Sequence, residues 1–167
     1  MTTTIQMTGV LDPRGDWTAD HCPIADALDV VRTRSAFLVL REAFYGATRF
    51  EEFAERTALS EPVTAARLHE LAAEGILQRE PYREPRQRTR QAYRLTEKGA
   101  ELLPVLVALM QWGDRWQQDS RARVELRHRG CGAAVTAQLR CAEDHPVPAD
   151  ELELGARRRR RSRPRHS

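Results

Sequence analysis

The clearest candidate for binding chemistry is a run of alternating arginines, Arg86, Arg88 and Arg90, separated by single uncharged residues. Guanidinium groups at alternate positions of an extended segment point along one edge, where they can contact phosphate oxygens or enter a minor groove. The surrounding segment 76–96 contains six arginines and two glutamates, so its local charge is +4. A solvated charged turn is the alternative, but this concentration of charge favours contact with a nucleic acid.

A second candidate site lies towards the end of the chain and contains two histidines and two cysteines. His128 and Cys131 are separated by two residues, and Cys141 and His145 by three. Ligands of these types bind zinc tetrahedrally, and such a cross-link would stabilise a segment too short for a core of its own. The alternative is a pair of buried cysteines with exposed histidines. Structural zinc is the one cofactor that the residues suggest.

Cys22 stands apart from that cluster and directly precedes Pro23, a residue type favoured at the first position of a helix. Amide donors and the helix dipole at a helix start stabilise a thiolate, so Cys22 is a candidate for thiol chemistry. The chain contains three cysteines, and an odd number in a cytosolic protein argues against a disulfide framework.

The composition narrows the class of protein. With 167 residues, of which 41% are apolar and 31% charged, the chain can form one domain with an appendage. No run approaches about 18 apolar residues, so no membrane partner is expected, and residues 1–15 lack the pattern of a secretory signal. These features predict a cytoplasmic location. Motifs for phosphate loops, nucleophile elbows and zinc proteases are absent from the sequence, so an enzyme is not predicted.

The net charge of +3 is local in origin. Residues 157–165 contain seven arginines and no acidic residue, and without them 20 basic residues stand against 24 acidic ones. This composition predicts a disordered, arginine-rich tail behind a mildly acidic body.

Apolar spacing and capping residues predict four helices before residue 76. They cover residues 24–31, residues 36–45, about two turns from Phe50, and residues 61–74. Ser35 is the predicted cap of the second helix, which is apolar nearly all round and should be buried. Ser60 is the predicted cap of the fourth helix, which Gly75 ends. The last two helices are joined by a three-residue turn, which is typical of a helix-turn-helix.

The pattern then changes to that of a β-hairpin with a long, arginine-bearing tip. One strand begins at Ile76 and the returning strand covers residues 92–95. Thr96 begins a further helix to about Gln118, in which Pro104 predicts a kink or a late start.

The sequence therefore predicts a mainly α fold with a small β-hairpin wing, which is a winged helix-turn-helix. A short extension with short strands follows it. The predicted parts are a flexible arm at 1–19, the DNA-binding and dimerisation domain at 20–119, the His/Cys-bearing extension at 120–156 and the disordered tail at 157–167.

At the residue level the chain resembles the HxlR-type transcriptional regulators, relatives of the MarR type. The resemblance covers about residues 20–118. Its residues are Cys22-Pro23-Ile24, Ala27-Leu28, Leu38-Val39-Leu40-Arg41-Glu42, Thr48-Arg49-Phe50, Arg67-Leu68, Glu70-Leu71, Glu74-Gly75-Ile76-Leu77 and Tyr93-Arg94-Leu95-Thr96-Glu97-Lys98-Gly99. Their order and spacing are together highly specific. The chain departs from the family at Arg32-Thr33-Arg34-Ser35, where Gly-Gly-Lys-Trp is usual, and in a hairpin about two residues longer.

The resemblance implies that helix 61–74 reads DNA beside the arginine-bearing wing. The predicted DNA-binding residues are Ser60, Ala65, Ala66, Arg67, His69, Arg86, Arg88 and Arg90. The two alanines can contact thymine methyl groups but donate no side-chain hydrogen bond. Arg90 matches the wing arginine of the family. Cys22 matches a cysteine that senses oxidants or electrophiles in some members and is inert in others.

The functional prediction is a regulator that binds a specific operator in double-stranded DNA as a homodimer. Residues 22–31 and 100–118 are the expected dimer surface, since the second segment has more apolar surface than one small domain can cover. A small-molecule effector or a redox signal is the expected input. The alternative is a winged-helix effector-binding or protein-interaction module that does not read an operator.

Overall fold

The computed structural model describes residues 5–11, 22–83, 88–117 and 124–155. The chain divides into two compact units, one formed by Cys22–Ala137 and the other by Met1–His21 with Gln138–Ser167. The predicted domain boundary after residue 119 thus falls inside the first unit. The predicted tail, most of the predicted arm and Arg86 lie outside the described residues.

The first unit contains six helices and one hairpin among its described residues, in the order of a winged helix-turn-helix. In chain order they are α1 (Pro23–Val31), α2 (Arg34–Phe44), α3 (Phe50–Thr57), α4 (Glu61–Ala73), β2 (Leu77–Tyr82), β3 (Arg90–Leu95), α5 (Glu97–Ala100) and α6 (Leu103–Trp116). The other unit contains β1 (Gln6–Met7) and β4 (Glu153–Leu154). The predicted fold class is confirmed.

The core of the first unit lies between α2, α3, α4 and the base of the hairpin. Its largest fully buried apolar side chains are Phe53, Leu40, Leu68, Leu71, Ile76, Leu77 and Val39. The Phe53 ring also meets the ring of Tyr93 edge to face, with centroids 6.3 Å apart. Because these residues come from both helices of the helix-turn-helix and from the wing, the core fixes α4 relative to the hairpin.

The start of α2 differs from the prediction by two residues. Thr33, rather than Ser35, is the cap, and its hydroxyl oxygen accepts a hydrogen bond from the backbone N–H of Ala36 at 3.2 Å. Ser35 lies inside the helix, and its hydroxyl is 2.9 Å from that of Thr33. Both residue types are good caps, so local propensity alone does not choose between them.

The predicted last helix is divided in two. Thr96 caps α5 as expected, and Pro104 lies in the first turn of α6, so the late start at this proline is confirmed. Gly99 lets α5 approach the hairpin closely, since a Cβ at this position would lie 2.2 Å from the carbonyl oxygen of Ile76. The base of the wing is therefore held against α5.

The wing is a regular antiparallel hairpin whose register runs from Leu77 opposite Leu95 to Tyr82 opposite Arg90. Its strands are thus longer than predicted. The segment before α3 adds to it: Arg49 is bridged to Ala92, and the N–H of Tyr93 donates to the carbonyl of Thr48 at 2.7 Å. The wing is therefore attached to the start of the helix-turn-helix.

Glu52 fixes the same junction from within α3. Its carboxylate oxygen accepts hydrogen bonds from the backbone N–H groups of Thr48 at 2.8 Å and Arg49 at 3.0 Å. The bond from Arg49, followed by that from Thr48, lowers the pKa of Glu52 below its ordinary value of 4.5, because both favour the charged carboxylate. The folded state thus favours the charged carboxylate.

Glu52→Gln is therefore expected to lower the melting temperature by a few degrees at neutral pH, because an uncharged acceptor binds the two amides less strongly. Because the pKa of Glu52 is lower in the folded than in the unfolded protein, its carboxylate stabilises the fold above pH about 4.5, and this stabilisation is lost as the pH falls through the folded pKa. The difference in melting temperature between Glu52→Gln and wild type should therefore shrink at acid pH. Glu55→Gln, an exposed position of the same helix, is the control, and a pH-independent difference would contradict the explanation.

The described residues of the second unit include residues 5–11 of the predicted flexible arm. Strand β1 pairs in parallel with β4, and Gln6 N–H donates to the carbonyl of Leu152 at 3.1 Å. Short bridges elsewhere in the extension join Arg140 to Pro146 in this unit and Arg127 to Ala134 in the first unit. Within the described ranges, no helix has the length and apolarity to cross a membrane.

Candidate DNA interface

Helix α4 presents a weakly polar outer face. Thr64, Leu68 and Leu71 are buried in the core, whereas Ala65 and His69 are exposed and Ala66 is half-buried. The exposed part of α4 also includes Val63. Small apolar groups of this kind fit thymine methyl groups in the major groove.

Arg67 does not point outwards with these residues. Its side chain is only 19% exposed and its guanidinium lies 2.8 Å from the carboxylate of Glu70. The same guanidinium donates to the hydroxyl of Thr33 at 3.4 Å, and its buried Nε has no hydrogen-bond partner among the described residues. In this arrangement Arg67 connects α4 to the start of α2 and is not positioned as an outward-facing cation.

Ser60 occupies the N-cap position of α4 with an exposed side chain that makes no capping bond. Its carbonyl instead accepts from the hydroxyl of Thr64 at 3.1 Å. A free hydroxyl at a helix N-terminus can donate to a phosphate, in keeping with the predicted role of Ser60.

Arg79 is a basic residue of this surface that the sequence did not assign to the site. It lies in β2, and its Nη2 is 3.4 Å from the Nε2 of His69 in α4. Helix α4 and the wing therefore meet side chain to side chain on an exposed surface. The arginine excess of segment 76–96 included Arg79, but periodicity gave no indication that it faces α4.

Of the three arginines predicted to bind DNA at the hairpin tip, the two within the described residues differ in their partners. Arg88 is exposed and has no ion pair with any other part of the chain that the structure describes. Arg90 is also exposed, but its Nη1 lies 2.6 Å from Oε1 of Glu51 in α3. Arg90 must leave this carboxylate before it can bind a phosphate, whereas Arg88 is available at once.

Cys22 is the N-cap residue of α1 and is half-buried, with a free thiol. Its carbonyl accepts from the N–H of Asp26 at 3.0 Å, which is the first hydrogen bond of the helix. The predicted position at a helix start is confirmed, and any thiol chemistry at this residue stays a prediction.

Apolar side chains also emerge from α1 and α6. Ile24 and Leu28 of α1 are exposed, and Ile24 reaches 71%. On α6 an exposed stripe is formed by Val105, Leu109, Trp112 and Trp116. Large apolar groups concentrated in this way mark surfaces that bind another protein.

The four predicted zinc ligands fall into two pairs. His128 Nδ1 lies 3.2 Å from the sulfur of Cys131 in the first unit. In the second unit, the N–H of Cys141 donates to the carbonyl of His145 at 3.0 Å. Both cysteines are exposed, unlike those of the alternative interpretation. Among the residues that the structure describes, no three potential ligands are grouped to hold a metal, and zinc stays a prediction from sequence.

A helix-turn-helix whose second helix lies beside an arginine-bearing hairpin defines the winged helix-turn-helix class of DNA-binding proteins. The chain belongs to the HxlR-like helix-turn-helix family, whose model matches residues 30–121. The protein is therefore a transcriptional regulator, and its family is not one of enzymes.

Individual relatives agree with this assignment. An uncharacterised HTH-type transcriptional regulator of Mycobacterium bovis is 37% identical over 119 residues, which cover 71% of this chain and 74% of that protein. The crystal structure of PA1607, described as a transcription factor, matches with a TM-score of 0.70 at 35% identity and covers 81% of this chain and 94% of its own. The reduced form of the redox regulator HypR has a TM-score of 0.52 at 28% identity and covers 57% of this chain and 94% of its own.

Proposed function

We propose that the protein is a cytoplasmic regulator that binds a specific operator in double-stranded DNA as a homodimer. The observation that carries the proposal is the contact between His69 of α4 and Arg79 of β2, because it joins a reading helix and a wing in one exposed surface. The helix supplies shape and apolar contacts to bases, while the wing arginines supply contacts to phosphates or to a minor groove.

The dimer follows from the apolar side chains of α1 and α6. Ile24, Leu28, Trp112 and Trp116 are mostly exposed in the single chain, so a second copy would remove a large apolar area from water. A symmetric pair would also present two reading helices, and one module alone rarely makes enough contacts for specificity.

The test is selection of binding sites from a random duplex library, followed by affinity measurement at several salt concentrations. A regulator should enrich a two-fold symmetric sequence with half-sites about one helical turn apart, and its affinity should fall steeply with salt. Ala65→Glu, which places a carboxylate on the exposed face of α4, should abolish enrichment, whereas Ala149→Glu, at an exposed position of the other unit, should not. If no sequence is enriched, or if the protein binds DNA without sequence preference, the result would favour the interaction module.

A redox response through Cys22 is the second candidate function. The half-buried thiol at the start of α1 favours it, because this helix contributes to the proposed dimer surface. The relative HypR is itself a redox regulator.

If Cys22 is the sensor, diamide should weaken operator binding by wild-type protein and Cys22→Ser should remove the response. The double variant Cys131→Ser with Cys141→Ser is the matched control and should respond like wild type. Anisotropy of a labelled operator measures both. A response that persists in Cys22→Ser would transfer the sensing role to Cys131 and Cys141.

A further inference from the structure

A cavity of about 620 Å³ opens between α2 and α6 in the first unit. This volume lies within the range of sites for small molecules, which is about 300–1,000 Å³. Most of its wall is apolar and includes Phe37, Leu106 and Met110. The wall also includes three charged residues, Arg34, Arg41 and Glu42.

The charged groups of the wall are not equally available. Glu42 is buried, and its Oε1 lies 2.6 Å from Nη2 of Arg41, so these two charges compensate each other. Arg34 is exposed on the same face of α2, two turns before Arg41, and makes no ion pair or side-chain hydrogen bond with the rest of the described chain. The cavity therefore carries one uncompensated positive charge beside an apolar wall.

We propose that this cavity binds an apolar small molecule with a single anionic group, which Arg34 holds while the apolar body packs between α2 and α6. A carboxylate matches the guanidinium in charge and geometry, and the apolar wall has no comparable partner for a second charge. This inference rests on the proposed function, since the molecule would be the effector of the regulator.

The cavity and the proposed dimer surface use different sides of α6. With 100° of rotation per residue, the cavity residues Leu106 and Met110 are centred more than about 100° from the exposed stripe that contains Val105 and Trp112. Leu109 belongs to both, at the edge between them, and Leu103, which lines the cavity, is also exposed. A second copy that covers only the stripe therefore leaves the side of the cavity formed by Leu106 and Met110 for a small molecule.

The cavity is also adjacent to the contact that holds the reading helix. Arg34 directly follows Thr33, whose hydroxyl caps α2 and accepts from Arg67 of α4 at 3.4 Å. An anion bound at Arg34 thus lies one residue from the point where α2 and α4 are joined. Occupancy should therefore change the affinity for DNA, because α2 and α4 must keep one relative position for reading.

The experiment is calorimetric titration of the full-length protein with decanoate, kept below its micelle concentration, and with decan-1-ol as the uncharged analogue. We expect one decanoate per chain and binding of decanol that is about tenfold weaker, since the alcohol lacks the charge-assisted bond. Arg34→Gln should weaken decanoate about tenfold and leave decanol unchanged. Arg32→Gln, an arginine outside the cavity, should change neither.

Substitution of Arg34 should not prevent folding, because its side chain is exposed in the first turn of α2. In Arg34→Glu the new carboxylate would even interact favourably with the helix dipole. Arg34→Glu should abolish decanoate binding in a protein with unchanged circular dichroism. Absence of saturable decanoate binding, or equal losses in Arg34→Gln and Arg32→Gln, would overturn the inference. The titration contains no DNA, so the two proposals can fail separately. A protein that binds its operator but not decanoate would refute only the proposed ligand site. A protein that binds decanoate but no operator would refute only the proposed regulator.

Discussion

Trp112→Glu is expected to convert the protein from a dimer into a monomer and to weaken operator binding at least about a hundredfold. This loss is smaller than the usual difference in affinity between specific and non-specific DNA, which is about 10³-fold or more. Trp112 is 60% exposed in the single chain and lies in the middle of the α6 stripe, with Leu109 and Trp116 on either side. Central aromatic residues contribute most to such interfaces, and a carboxylate buried there would lose its hydration without gaining a partner.

Sedimentation equilibrium at micromolar concentration measures the loss of the dimer, and fluorescence anisotropy of a labelled operator measures the loss of affinity for DNA. Gln138→Glu is the matched control, because it introduces the same side chain at an exposed position of the other unit, outside both expected dimer segments. Wild-type protein that sediments as a monomer, or Trp112→Glu protein that remains a dimer, would refute the proposed interface.

The second large effect is expected in the wing. The double variant Arg88→Ala with Arg90→Ala should weaken the specific site by at least about 1 kcal/mol, the lower range for loss of a specific contact. Each lost phosphate contact should also reduce the slope of log affinity against log salt by about one unit. Because Arg90 is paired with Glu51 in the free protein, Arg88→Ala alone should account for the larger share of the loss.

Two further variants separate the wing from other sources of positive charge. Deletion of the arginine-rich segment 157–167 should weaken specific and random DNA alike, since such a segment contacts phosphates without selecting sequence. Arg94→Ala removes a cation that is paired with Glu80 nearer the base of the hairpin and should have little effect. If the double variant binds the operator like wild type, the wing is not a DNA contact.

The order of elements was predictable because its signals are local. Gly75 ends α4 with a positive φ, Pro104 marks the start of α6, and the three-residue turn after α3 follows from the spacing of apolar residues. Such signals depend on a few neighbouring residues, so they can be recognised without knowledge of the tertiary contacts. The choice of Thr33 over Ser35 as cap was not predictable, because both residue types are good caps.

The orientation of site residues was less predictable because it depends on contacts between elements. Helical periodicity placed Ala65 and His69 outside, yet it could not show that Arg67 pairs with Thr33 and Glu70. The ion pair between Glu51 and Arg90 joins residues 39 positions apart, and no spacing rule indicates it. Side chains long enough to reach either solvent or a neighbour are decided by packing, not by local pattern.

The parallel pairing of β1 with β4 has a consequence for the order of folding. It joins Gln6 to Glu153, residues about 147 positions apart, whereas the hairpin pairs Tyr82 with Arg90 across a short turn. During synthesis β1 has no partner until β4 has emerged, some time after the hairpin is complete. The winged helix can therefore form during translation, before the sheet that contains β1.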